Sequence, residues 1–150
     1  MTDQRSDQYI LFTVAGTTYG LPSSQIAHVD LVEDITHVPN AAPFVDGVVF
    51  SRGQIVPAIN MRARLGFERA PIDLRTRFLV TNTGNRVVGL LVDSCREFLK
   101  IDAASIHPPV DALGGAAGSS VSGIATSGDR MIVILNLNQL LASQDPILAA

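Results

Sequence analysis

Short apolar runs separated by polar or glycine-containing turns dominate the chain. Tyr9-Ile10-Leu11-Phe12-Thr13-Val14 is followed by Ala-Gly-Thr-Thr and then by Tyr19-Gly20-Leu21. That pattern predicts two strands joined by a tight turn. Arg77 to Val92 repeats it, with Asn-Thr-Gly-Asn at the turn. Gly53–Asn60 and Arg130–Leu137 are apolar runs bounded by glycine and aspartate, which suits buried strands. Pro57 lies inside the first of them and places it at a sheet edge or at a bulge, because proline cannot donate to a ladder. Helical signals are short. Pro22 and Ser23 are positioned as a helix start in Pro22–Val29. Asn60–Gly66 has room for about one or two turns before Gly66 stops it, and Asn136–Ser143 is a similar final segment.

The same pattern occurs twice. Tyr9-Ile10-Leu11 aligns with Phe78-Leu79-Val80. At the same offset Tyr19-Gly20-Leu21 falls on Val88-Gly89-Leu90, Ile26 on Cys95 and Val29 on Phe98. A slightly longer offset aligns Gly47-Val48 with Gly123-Ile124, Ile55-Val56 with Met131-Ile132, Ile59-Asn60-Met61 with Leu135-Asn136-Leu137, and Leu65 with Leu141. The extra residues of the second copy fall near Asp111–Ser120, and insertions belong in loops. The expectation is a single domain over residues 1–150 with repeat-defined subdomains at 9–66 and 78–142, joined by Phe67–Arg77. About five strands with tight turns in each predict a mainly β fold: two pseudo-symmetric, five-stranded SH3-like β-barrels with short helices. A unit near 60 residues is marginal alone, so the two are expected to share a face and leave a groove between them.

Composition narrows the function classes. Apolar residues make up 47% of the chain and charged residues 17%, which excludes a disordered protein. The net charge is −3 and the arginines form no basic cluster, which argues against a nucleic-acid surface. No apolar run is long enough to span a bilayer, and the polar N-terminus, Met1–Gln8, has neither signal nor transit character. Cys95 is the only cysteine, so there is no disulfide framework and a cytoplasmic location is expected.

Catalytic constellations are not found, and no cofactor or metal is expected. His28, His37 and His107 lack ligand spacing among themselves or with Cys95. Cys95 sits in an apolar run and reads as a small buried or groove-lining residue. Gly114–Ser120 is glycine-rich but no lysine follows it, so a phosphate loop is not indicated. Glu33 and Asp34 are neighbours, and in an extended segment they point to opposite faces.

One corner asks for a further reason. Ser51-Arg52-Gly53 turns the chain between two apolar runs, and its counterpart at Gly128-Asp129 manages without an arginine. Gly53 supplies permissive backbone angles, whereas Arg52 offers a planar fork that often anchors interfaces. The whole order resembles the CheW family, the adaptors of bacterial chemosensory arrays. It runs Tyr19-Gly20-Leu21-Pro22, Val38-Pro39, Gly47-Val48-Val49-Phe50-Ser51-Arg52-Gly53-Gln54-Ile55-Val56-Pro57, Arg62-Ala63-Arg64-Leu65-Gly66, Gly89–Asp93 and Asp129–Leu135. The resemblance covers residues 8–142 and agrees with the two barrels. It implies no enzymatic activity. It implies two partners: the regulatory domain of a CheA-type histidine kinase, and the cytoplasmic helical tip of a methyl-accepting chemoreceptor. It places Ile26, Val29, Arg52, Gly53, Cys95 and Phe98 around a receptor-binding groove, and Asp46, Gly47 and Thr76 near the kinase contact. Phe98 is expected to be half core and half groove.

The chain departs from the family's usual pattern at several places. Phe50-Ser51 stands where Asn-Leu is usual, and His28 where an acid is usual. Asn60 and Asn136 replace aspartates at matching places in the two copies. These changes leave open a member of a non-flagellar chemosensory pathway that binds kinase with altered or absent receptor binding. A small β-barrel ligand-binding protein or enzyme is a further alternative, one that requires a pocket with convergent polar groups.

Overall fold

The computed structural model of the chain describes residues 6–32, 34–84, 86–109 and 120–142. Glu33, most of the glycine-rich stretch at 111–120 and the residues after 142 lie outside the described residues. In chain order the elements are β1 (Ser6–Val14), β2 (Thr17–Pro22), β3 (Ile26–Leu31), β4 (Val45–Ser51), β5 (Gln54–Asn60), α1 (Met61–Arg64), β6 (Arg77–Asn82), β7 (Val87–Val92), β8 (Ser94–Asp102), β9 (Ile106–His107), β10 (Val121–Ser127), β11 (Arg130–Leu135) and α2 (Leu137–Leu141). The fold is mainly β. One sheet has five strands in the order β3-β6-β7-β5-β4, the other six in the order β8-β1-β2-β11-β10-β9.

Each sheet takes strands from both halves of the chain. The third strand of each copy crosses over. After β2 a single 3-10 turn at Ser23–Gln25 carries the chain to β3, which pairs antiparallel with β6. After β7, Asp93 carries it to β8, which pairs antiparallel with β1. The registers are those the repeat requires. Val29 lies opposite Leu79 and, at the matching place, Phe98 lies opposite Ile10. Ala58 of β5 lies beside Gly89 in a parallel pair, as Ile134 of β11 lies beside Gly20. The duplication is therefore one of strand order and register, with strands exchanged between the two sheets.

The exchange explains the continuous apolar runs. Along β1, Tyr9 and Leu11 face a core inside the six-stranded sheet, while Ile10 and Phe12 face a second core shared by both sheets. Along β6, Phe78 and Val80 face the interior of the five-stranded sheet and Leu79 the shared core. Both faces of these central strands are dry, so the period-2 alternation expected of half-exposed strands disappears. Both short helices insert into the shared core through Met61, Leu65, Leu137, Leu140 and Leu141.

The expectation of five strands in each barrel is met in one sheet only. The sixth strand, β9, pairs with β10 at Ile124 and Ala125. Its counterpart in the other sheet is a single bridge between Thr36 and Val48, closed by backbone hydrogen bonds of 2.9 and 2.8 Å. Neither sheet closes by its ladder among the described residues. Ion pairs tie the mouths instead: Arg52, in the β4–β5 turn, to Asp30 of β3, and Arg130 of β11 to Glu97 of β8.

Two local expectations change. Pro57 lies in an interior strand, between β7 and β4. It is tolerated because the β5–β7 ladder begins only at Ala58. Pro22 and Ser23 open only the 3-10 turn, after which Ile26–Leu31 is strand. Elsewhere the end signals hold. Asn60 and Asn136 cap the two helices, accepting from the Ala63 and Gln139 amides at 3.1 and 3.0 Å. Gly66, at φ 91°, ends α1, with its own amide and that of Phe67 bonded back to Ala63 and Arg62.

Candidate functional site

The Arg52-Gly53 corner is a two-residue turn with φ 48° at Arg52 and 85° at Gly53, the positive pair of a type I′ hairpin. Glycine, asparagine and aspartate occupy such positions readily; arginine does so at a cost. Its side chain is 62% exposed, and the guanidinium donates from Nη2 to Asp30 Oδ1 at 3.0 Å. The Ser51 hydroxyl reaches the other carboxylate oxygen at 3.4 Å, as does His28 Nε2. Asp30, Ser51 and Arg52 border a cavity of about 340 Å³ that Leu31, Val49, Phe50 and Phe78 complete. Phe50 and Ile55 face each other across the hairpin, 70% and 68% exposed.

Ile26, Val29, Cys95 and Phe98 belong to the edge strands β3 and β8. Their cross-strand partners are Thr81, Leu79, Phe12 and Ile10. Leu79, Phe12 and Ile10 are members of the shared core, and opposite residues of an antiparallel pair share a face. Ile26, Val29 and Cys95 are half-buried and pack against that core. Phe98 stands at its edge, 60% exposed, and so contributes little to the core that sequence alone assigned it. Burial pushes the Cys95 thiol up to about 11, with Arg77 opposing. It is protonated at neutral pH and behaves as a small apolar side chain.

The six residues assigned to one groove thus divide. Four line the rim of the shared core. Arg52 and Gly53 sit with Asp30, whose partner Phe78 faces the interior of the five-stranded sheet. Val29 and Asp30 are neighbours on β3, pointing to opposite faces. The space between the sheets is filled by the shared core, so the groove expected between the two barrels is not open. Asp30 is the partner of Arg52, which sequence did not reveal. It stands 22 positions from Arg52, and no local spacing signals such a pair.

Asp46 and Thr76 approach one another through Asn60. The Asn60 amide donates to Asp46 Oδ2 at 2.9 Å, and Asn60 and Thr76 border one small crevice under the linker. Gly47 is turned inward. A β-carbon there would stand 2.1 Å from the Thr36 carbonyl oxygen. Among the described residues no cluster of His, Cys, Asp or Glu could hold a metal ion, and no helix is long and apolar enough to cross a membrane.

The family model for the CheW-like domain matches residues 8–145. The chain belongs to the CheW family. The chemotaxis protein CheW of Klebsiella aerogenes is 28% identical over 138 residues, covering 92% of this chain and 83% of that protein. Protein FrzA of Myxococcus xanthus is 31% identical over 137 residues, covering 89% and 84%. The crystal structure of the scaffolding protein TtCheW from Thermoanaerobacter tengcongensis superposes with a TM-score of 0.82 at 29% identity, covering 93% of this chain and 95% of that one. Two short-helix, strand-exchanged sheets around a common core are thus the CheW architecture in this chain.

Proposed function

We propose that this chain is a chemosensory adaptor that couples chemoreceptors to a CheA-type histidine kinase. The near-full-length match to the CheW-like domain and the likeness to the scaffolding protein TtCheW carry this conclusion. One surface, around Asp46, Gly47 and Thr76, takes the regulatory domain of the kinase. The rim of the shared core, with Ile26, Val29, Cys95 and Phe98, takes the helical tip of a methyl-accepting receptor, and Arg52 anchors that contact from the neighbouring corner. Receptor conformation then biases the kinase equilibrium through differential contacts. Modest affinities suffice where many contacts act together. The strained, exposed Arg52 supports its part in this account, since the turn itself has no use for an arginine.

Arg52→Ala and Phe98→Ala are expected to keep fold stability within about 0.5 kcal/mol, as for exposed sites. Each is expected to weaken receptor-tip binding by about 1 kcal/mol or more. Calorimetric titration with a soluble receptor-tip fragment, beside urea unfolding, measures both. Unchanged affinity in both variants removes the rim and corner from the receptor site.

A second reading has its own support. Phe50 is exposed at the lip of the Arg52 cavity, and Ser51 joins Arg52 on Asp30. A lip altered in this way fits an adaptor that holds kinase but has changed its receptor partner. Binding of the kinase domain without binding of receptor tips would select it.

A further inference from the structure

We infer that Asp46 acts as a positioning residue for the kinase-facing surface, and that the amide of Asn60 is what permits a carboxylate there. This role rests on the assignment of that surface to the kinase. Both oxygens of Asp46 are already engaged within the chain. Oδ2 accepts from Asn60 Nδ2 and Oδ1 from Arg69 Nε, each at 2.9 Å. Arg69 lies in the linker between the two copies, and its second arm reaches the Pro43 carbonyl. The carboxylate therefore fastens the linker to the start of β4, and a partner meets the surface so positioned.

Asn60 uses both ends of its side chain. Its oxygen caps α1 through the Ala63 amide, and its nitrogen holds Asp46. An aspartate at 60 could perform the first task, since an ionised carboxylate is a good helix cap. It could not perform the second, because it has no donor. Two carboxylates would then face each other at hydrogen-bond distance, and one would have to swing away or bind a proton. Arg69 alone would remain on Asp46, and the linker would be held from one side. This geometry gives a physical reason for an asparagine at position 60 that composition and spacing do not supply.

The test uses the full chain and three variants, Asn60→Asp, Asp46→Asn and the double variant, with Asn60→Ser as a control that keeps a cap but removes the amide. Affinity for the isolated kinase regulatory domain is read by calorimetry, and linker closure by amide hydrogen exchange over residues 67–76. Asn60→Asp is expected to bind about tenfold more weakly at neutral pH and to speed linker exchange. Its defect is expected to shrink on acidification, where one proton shared by the facing carboxylates restores a donor; because His37 borders the same recess as Asp46 and Arg69, each variant is compared with the parent chain at the same pH. Asn60→Ser is expected to show a loss without that pH dependence. The double variant, in which amide and carboxylate trade places, is expected to return to within about threefold of the parent.

A double variant no better than Asn60→Asp, or an Asn60→Asp variant with a pH-independent defect, overturns the inference. So does faster linker exchange with unchanged kinase affinity. A parent chain that does not bind the kinase domain at all overturns the assignment of the surface itself, and the two failures are told apart by that first titration.

Discussion

Gly47→Ala is expected to destabilise the fold by about 2–4 kcal/mol, the combined scale of a strained backbone and an overpacked contact. Gly47 has φ 149°, and an added β-carbon would stand 2.1 Å from the Thr36 oxygen and 3.0 Å from the Ile35 side chain. The obstacle is backbone. It belongs to the bridge between Thr36 and Val48, which pairs the outer edge of β4. Neither side of that bridge can yield without breaking its paired hydrogen bonds. At Gly123, its counterpart in the other sheet, an added β-carbon would stand 2.8 Å from the His107 oxygen of β9, without the positive φ of Gly47. Urea unfolding of Gly47→Ala measures the effect, and a midpoint equal to the parent's would contradict it. Lost kinase binding in a Gly47 variant would then report a damaged scaffold. A contact at this surface has to be sought through side chains that reach solvent.

Asp93→Ala is expected to cost about 1–3 kcal/mol at neutral pH, the scale for losing charge-assisted hydrogen bonds at a partly buried site. Arg62 Nε and Nη2 both donate to Asp93, the shortest contact being 2.7 Å, and the Ala15 amide donates to the same carboxylate at 2.8 Å. One side chain therefore joins α1, the β7–β8 crossing and the β1–β2 turn. Burial pushes the Asp93 carboxyl upward, but the hydrogen bonds from Arg62 and the Ala15 amide outweigh it and hold the group below its usual value. A carboxyl held lower in the folded chain binds fewer protons there than in the unfolded chain. Its contribution is complete above about pH 4, the ordinary carboxylate value, and fades as pH falls through the lowered value. The stability gap between parent and Asp93→Ala should accordingly be constant from pH 7 to about 5 and narrow below about 4. A gap that widened on acidification would contradict the assignment.

Much of the fold was legible because its signals are local. The hairpin turns at Ala15-Gly16 and Arg52-Gly53 and the stop at Gly66 all have the positive φ their glycines announce. The repeat was legible because matching residues occupy matching registers, as Phe98 opposite Ile10 repeats Val29 opposite Leu79. A repeat tells which residues correspond. It does not tell which strands pair, so the exchange of β3 and β8 between sheets had no sequence signal. Thr36 and Ile106-His107 lie in weakly patterned segments, and they account for the difference between five strands and six. At the site, the spacing of Arg52 and Gly53 revealed a turn, and the surplus arginine pointed to a contact. Asp30 escaped notice because its role depends on a fold that brings β3 to the β4–β5 turn. Asn60 stood out in the sequence as a replacement for aspartate, but its reason did not, since only the structure sets its amide against Asp46.

One chain is proposed to hold kinase and receptor at the same time through separate surfaces. Sedimentation velocity of the chain mixed with the kinase regulatory domain and a receptor-tip fragment tests it most directly. A ternary species is expected, with neither partner displacing the other as its concentration rises. Mutual displacement, or sedimentation of the chain unaffected by either partner, would contradict the account.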